Sequence, residues 1–193
     1  MEVLYQDQNI AVAVKPVGMD SEKDMPRALQ EQLGGTFLTV HRLDQNVGGV
    51  MVYARNTAAA AELSRQIQNG AFRKEYVAMV HGKPETEGDW TDLLFKDSRK
   101  NKVFVVKKER SGVKRARLSY WLLQPGEHSV VRIRLHTGRS HQIRVQFSSR
   151  GFPLVGDHKY GSRAKETAPM LFCCMLEFEL QGHHCFEMLP PWA

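Results

Sequence analysis

"KRARLSYWLLQPGEHSVVRIRLH", residues 114–136, decides the fold class. Two runs alternate on either side of Gln124-Pro125-Gly126-Glu127-His128. In the second, Val131, Ile133 and Leu135 take one face while Arg132, Arg134 and His136 take the other. A period of two is that of a strand with one buried side. The first run places Ala116, Leu118, Tyr120 and Leu122 on one face and begins the other with Arg115, Arg117 and Ser119. Pairing the apolar faces predicts adjacent strands and gathers four arginines on one sheet surface. Like charges so placed repel unless water or a negative partner covers them. A solvated outer face and an anion-binding face both meet that condition.

Working outward, "KEYVAMVHG" (74–82) is apolar on both alternating sides and reads as a central strand. "VMVYA" (50–54) reads as a buried strand. The helix signal of "NTAAAAELSRQIQNG" (56–70) is strong: Asn56 or Thr57 caps the start, Ala60, Leu63 and Ile67 share a face, and Gly70 ends it. Met1 to Val14 reads as two short strands around the turn 6–9. "KPVGMDSEKD" (15–24) is a loop broken by Pro16 and Gly18, followed by a short helix over 26–33 with Asp24 as N-cap. "SHQIRVQFSSRG" (140–151) predicts a helix capped by Ser140, with Ile143 and Phe147 one turn apart. "MLFCCMLEFEL" (170–180) and "HHCFEML" (183–189) read as a closing hairpin. The expected class is α+β, a mostly antiparallel sheet with a few helices packed on it. No repeat or Pro/Ser-rich linker interrupts the chain, so one domain over 1–193 is expected, as a monomer.

The net charge is +6, from 27 basic against 21 acidic residues in 193. That balance favours a polyanionic partner such as nucleic acid. Three cysteines, two of them the adjacent Cys173 and Cys174, argue against a disulfide framework and for a reducing cytoplasm. The start shows no secretory pattern, and apolar runs such as Ile10 to Val14 are too short to span a bilayer.

Two stretches carry chemistry. In "HRLDQNVGGV" (41–50), one carboxylate, Asp44, stands beside His41 and Arg42. In "LHTGRSHQIR" (135–144), a strand ends, a Thr-Gly turn follows and a helix begins, with Arg139 at its mouth and His141 and Arg144 three residues apart. A nucleophilic carboxylate must stay ionised where water is excluded. Burial raises its pKa, and a close arginine lowers it by ~1–3 units while directing its oxygens. Arg144, from another segment, is the natural partner for Asp44; Arg42 is too near in sequence to be assumed. On spacing alone, the plainer reading of Asp44 is a structural ion pair. A metal is not expected: His136, His141, His158, His183, His184 and the cysteines form neither Cys-x-x-Cys nor His-Glu-x-x-His. "HTGRS" lacks the spacing of a nucleotide phosphate loop.

Four segments change that weighting. "HRLDQNVGGVMVYARN" (41–56) resembles the catalytic motif of the RluA-type pseudouridine synthases, which reads His-Arg-Leu-Asp, two variable residues, then usually Thr-Ser-Gly. "KPVGMDSE" (15–22) resembles the loop that precedes it there. "RKEYVAMVHG" (73–82) resembles the family's Lys-x-Tyr strand, and "LHTGRSHQIRVQFSSRGFPLVGDHKYG" (135–161) its third signature. They occur in family order. The resemblance implies the pseudouridine synthase catalytic fold and isomerisation of a uridine in ribosomal or transfer RNA, without cofactor or metal. It implies that Asp44 is the essential carboxylate, that Tyr76 stacks on the target uracil, and that Arg144 pairs with Asp44. His41, Arg42, Arg139 and His141 would line the substrate cleft. Basic side chains such as Arg99, Lys100, Lys102, Arg115, Arg117 and Arg132 would hold phosphates. Two departures stand out: Val47-Gly48 replaces Thr-Ser, and Phe172 replaces the histidine of a Leu-His-Ala pattern. The chain also begins directly at the catalytic domain, so no N-terminal S4-type domain is expected. The alternative is a non-catalytic RNA-binding protein of the same fold, which would have no need of Asp44.

Overall fold

In the computed structural model, which describes residues 1–193, the chain runs as strand β1 (Val3–Gln6), β2 (Ile10–Lys15), helix α1 (Asp24–Leu33), β3 (Leu38–Thr39), β4 (Gly48–Ala54), α2 (Thr57–Asn69), β5 (Arg73–His81), β6 (Glu87–Asp97), β7 (Lys102–Val106), β8 (Val113–Gln124), β9 (His128–Leu135), α3 (Gln142–Ser148), a 3-10 turn (His158–Tyr160), β10 (Leu171–Glu179) and β11 (His183–Glu187). Two compact units result. Unit 1 is Met1–Glu75 with Phe172–Trp192; unit 2 is Tyr76–Leu171 with Ala193. The sequence marks no boundary between them. No linker separates Glu75 from Tyr76, because both lie within β5, and unit 1 takes its last strands from the far end of the chain.

Unit 1 is built on a mixed sheet in the order β1-β2-β4-β10, with β11 on β10 and β3 on β4. All seven residues of β4 are buried, which explains an uninterrupted apolar run instead of an alternating one. β2 pairs antiparallel with β4 from Ile10↔Ala54 to Lys15↔Gly49. β10 pairs parallel with it at Phe172↔Gly48 and Cys173↔Gly49. Gly49 permits that approach: its φ is +137°, and a Cβ there would stand 2.4 Å from the Cys173 amide nitrogen. α2 follows its sequence signals, with Asn56 accepting the Ala59 amide at 2.9 Å and Gly70 in the left-handed conformation. α1 does not. Its cap position is Lys23, and the loop is held instead by Asp20, whose carboxylate accepts the Glu22 and Lys23 amides.

Unit 2 carries the order β5-β9-β8-β6-β7. β8 and β9 are antiparallel, with Leu118↔Leu135, Tyr120↔Ile133 and Leu122↔Val131 in register. Their apolar faces coincide as expected, so Arg115, Arg117, Arg132 and Arg134 share the opposite face. Leu94, Val103 and Ala116 form a core with Val145 of α3 and Tyr160. β6 and β7 were not legible as strands: in β6 the outward positions include Leu93 and Phe95 as well as Asp89 and Thr91, which blurs the period of two. α3 starts one residue later than the Ser140 cap predicts. His141 holds the cap position at φ +51° without a side-chain cap bond. Only seven residues remain helical, so its end is not a developed anion site.

Candidate active site

The stretch around Asp44 lies in unit 1 and is pinned residue by residue. Ser21 is buried; its hydroxyl donates to the Leu43 carbonyl (2.8 Å) and accepts the Leu43 amide (3.1 Å). The Asp44 carbonyl accepts the Val47 amide at 2.9 Å, closing the turn. The Gln45 carbonyl accepts the Gly18 amide at 2.8 Å and the Lys15 ammonium at 3.1 Å, and the Gln45 side chain donates back to the Gly18 carbonyl. Leu43 and Val47 are buried on either side. Asp44 itself stays half-buried between these anchors, so its carboxylate stands on a backbone with little freedom.

Lys15 is the residue that sequence reasoning missed here. It is fully buried at the end of β2, and its Nζ donates to the carbonyls of Pro16 (3.0 Å), Met19 (2.7 Å) and Gln45. Burial lowers its pKa from 10.5 to about 8, against the pull of Asp20, Asp44 and Asp24. A depressed folded-state pKa means that the unfolded chain binds this proton more tightly between pH 8 and 10.5. Stability attributable to the group therefore rises with pH across that window. The unfolding free energy of the wild type is expected to gain on that of Lys15→Met as pH is raised through it, measured by urea denaturation at several pH values. A constant difference would show that the ammonium is not desolvated.

His41 differs from its expected place. It is 6% exposed, its Nε2 accepts the Val52 amide at 3.2 Å, and its ring lies beside Phe72. Burial, with Lys74 nearby, holds its pKa well below the ordinary range, so the ring is neutral. It braces β4 instead of presenting a cation to a cleft. Arg42 is exposed, and its Nη1 meets Glu22 at 2.8 Å, a surface pair of small energetic weight.

In unit 2, Arg144 is 3% exposed and binds Asp157 side-on, through Nε at 2.7 Å and Nη2 at 2.9 Å. Its guanidinium carbon lies 5.1 Å from the centre of the Tyr160 ring. His141 reaches the same tyrosine, with Nδ1 2.8 Å from the hydroxyl, and that hydroxyl also accepts the Val103 amide at 2.8 Å. His141 and Arg144 therefore meet at Tyr160, although only Arg144 is in the helix. Arg139 is exposed and donates to the Arg115 carbonyl at 3.0 Å. The turn that carries it is locked by buried Gln142, whose side chain bonds Thr137, the Arg139 amide and the Arg117 carbonyl. Tyr76 begins the unit-2 part of β5 and is 5% exposed. Asp157 and Tyr160 lie in "GDHKYG" (156–161), within the third signature, but nothing in their local spacing announces an ion pair with a residue of α3.

Residues 9–149 match the RNA pseudouridylate synthase family. The chain is 33% identical over 92% of its length to an uncharacterised RNA pseudouridine synthase of Aquifex aeolicus, and covers 61% of that protein. It is 35% identical over 88% of its length to the dual-specificity RNA pseudouridine synthase RluA of Escherichia coli, covering 81% of it. With the ribosomal large subunit pseudouridine synthase D of Zymomonas mobilis it shares 29% over 97% of its length, covering 64%. It thus spans about three fifths of the Aquifex and Zymomonas relatives. In fold it matches human RNA pseudouridylate synthase domain containing 1, with a TM-score of 0.87 over all of this chain and 84% of that one, at 22% identity. The family match over residues 9–149 takes in both Asp44 and Arg144, and it shows that the chain belongs to the RNA pseudouridylate synthase family.

Proposed function

We propose that this protein isomerises a uridine in structured RNA, ribosomal or transfer, to pseudouridine, acting as a cytoplasmic monomer without cofactor or metal. The observation that carries the reading is the Asp44 turn: a half-buried carboxylate whose neighbours 43, 45 and 47 are each anchored by backbone hydrogen bonds. Fixing a reacting group in advance lowers the entropy cost of the reaction. In the reaction the N1–C1′ bond breaks, the uracil turns, C5 bonds to C1′, and the C5 proton leaves while N1 gains one. A carboxylate fits it either by adding to C1′ or by removing the C2′ proton. The target base must leave its stack to be reached. Tyr76 then offers a stacking surface, Arg144 keeps Asp44 ionised and oriented, and Arg139 and His141 help to hold the substrate. Tritium release from RNA labelled at uracil C5 tests the reading, with ribosomal and transfer RNA assayed separately. RNA binding without release would favour a non-catalytic binder.

The arginine face of β8 and β9 supports an RNA contact. Arg117 is spent on Asp89 (2.8 and 2.9 Å), whose carboxyl it holds down at about 2. Arg115 faces Glu109 at 3.9 Å. On the same face Arg132 and Arg134 lie next to Trp121, which is 37% exposed and 5.9 Å from the Arg134 guanidinium, and this cationic and aromatic surface suits phosphate and base contact. Replacing both arginines by glutamine is expected to raise KM for RNA about tenfold and to flatten the logarithmic salt dependence by about 1.5, with kcat unchanged. Filter binding at several salt concentrations checks this.

A further inference from the structure

The two departures from the family motif lie against each other. Gly48 of β4 and Phe172 of β10 are register partners in the parallel pair. A Cβ on Gly48 would stand 3.4 Å from Cδ2 and 3.6 Å from Cε2 of Phe172, and 3.3 Å from the Lys15 carbonyl oxygen. The ring thus stands in contact with the place of a Cβ at position 48, and the Lys15 carbonyl oxygen stands slightly closer than ordinary contact. The opposite wall is backbone: Lys15 pairs with Gly49 in the β2–β4 ladder, and the Lys15 ammonium holds the Gln45 carbonyl, one residue beyond Asp44. A serine hydroxyl at 48, one atom beyond that Cβ, would press on the ring or on the strand whose terminal lysine anchors the Asp44 turn. The ring is half-buried and can move; the paired Lys15 backbone cannot move without loosening the turn.

We infer that Gly48 and Phe172 are a matched pair of positioning residues that sets where the Asp44 turn stands, so that the two departures offset each other. Neither is a catalytic residue. The inference rests on the proposed isomerisation for its kinetic readout, but its geometry can be read without it.

The test is a double-mutant cycle of Gly48→Ser and Phe172→His, with kcat, KM for RNA and the amide resonances of Asp44 and Gln45 recorded for each protein. Gly48→Ser is expected to lower kcat about 10- to 100-fold with KM little changed, the loss that follows an ångström-scale displacement of a reacting group. Phe172→His, which leaves space beside a glycine, is expected to lose about fivefold. The double variant is expected to return to within about threefold of wild type, since residues in contact do not act additively. The Asp44 and Gln45 resonances should shift in Gly48→Ser and return in the double variant. Losses that multiply in the double variant, or resonances that never move, overturn the inference. So does a rescue seen only in the thermal midpoint while kcat stays constant, because the pair would then be structural alone. If the wild type shows no activity, the proposed function fails, while resonance recovery in the double variant would still support the coupling of positions 48 and 172 to the Asp44 turn.

Discussion

Asp44→Asn is expected to abolish pseudouridine formation while leaving the chain folded and able to bind RNA. The expected loss in single-turnover rate is at least about 10³-fold, the order seen when a group that acts directly on the reacting atoms is removed. Folding should survive because backbone groups and the Ser21 and Lys15 side chains anchor the turn. Ser21 holds Leu43, Lys15 and Gly18 hold the Gln45 carbonyl, and the Asp44 carbonyl holds Val47. Asparagine has nearly the same shape and the same backbone. Affinity for RNA should be equal or tighter, since the variant lacks one negative charge that repels phosphates. Tritium release, filter binding and thermal unfolding measured on the same preparations separate the three effects. Retention of more than about a tenth of the wild-type rate would remove Asp44 from the chemistry and return it to the role of a structural ion-pair partner.

Asp157→Ala is expected to destabilise the protein by ~3–5 kcal/mol, the cost of removing one partner of a buried ion pair. The side chains of Arg144 and Asp157 are 4% and 1% exposed, and the carboxylate takes both Nε and Nη2 in a side-on fork. Without it a guanidinium remains buried over the Tyr160 ring, with little water to take over the lost bonds. Asp157→Asn keeps the shape and one acceptor, and should fall between the two. Urea denaturation gives the energies. The same Asn variant separates structure from function: if the Arg144–Asp157 pair serves the reaction, kcat should fall more than KM rises, even at temperatures where the variant is fully folded. An asparagine variant with normal kcat would confine Asp157 to holding the fold.

These two residues differ in how far they could be read from the chain. Asp44 is conspicuous because it is one carboxylate in a basic stretch, and its motif has neighbours of recognisable type in order. Asp157 is equally central to the buried arrangement around Arg144, yet its segment reads as a loop, and no local pattern says which cation it will meet. Lys15 is similar. A lysine closing an apolar run before a proline looks like the point where a strand reaches solvent, but three backbone carbonyls converge on its ammonium and keep it inside. His41 shows the converse error: beside Arg42 and Asp44 it looks like a working cation, and β4 takes it as a neutral brace.

What the amino-acid sequence determined by itself are the properties set within a few residues: the alternation of β8 and β9, the capped α2, the buried run of β4 and the shared arginine face. Each follows from short-range sterics and from the period with which apolar side chains recur. The tertiary structure alone decided which distant groups meet. Gly49 accepts Cys173 because β10 returns beside β4, Phe172 stands against Gly48 for the same reason, and Arg144 finds Asp157 across the loop after α3. Contacts of this kind depend on how separate segments exclude water together. Buried polar groups then take whatever partners packing delivers, since leaving them without one costs more than any local preference can return.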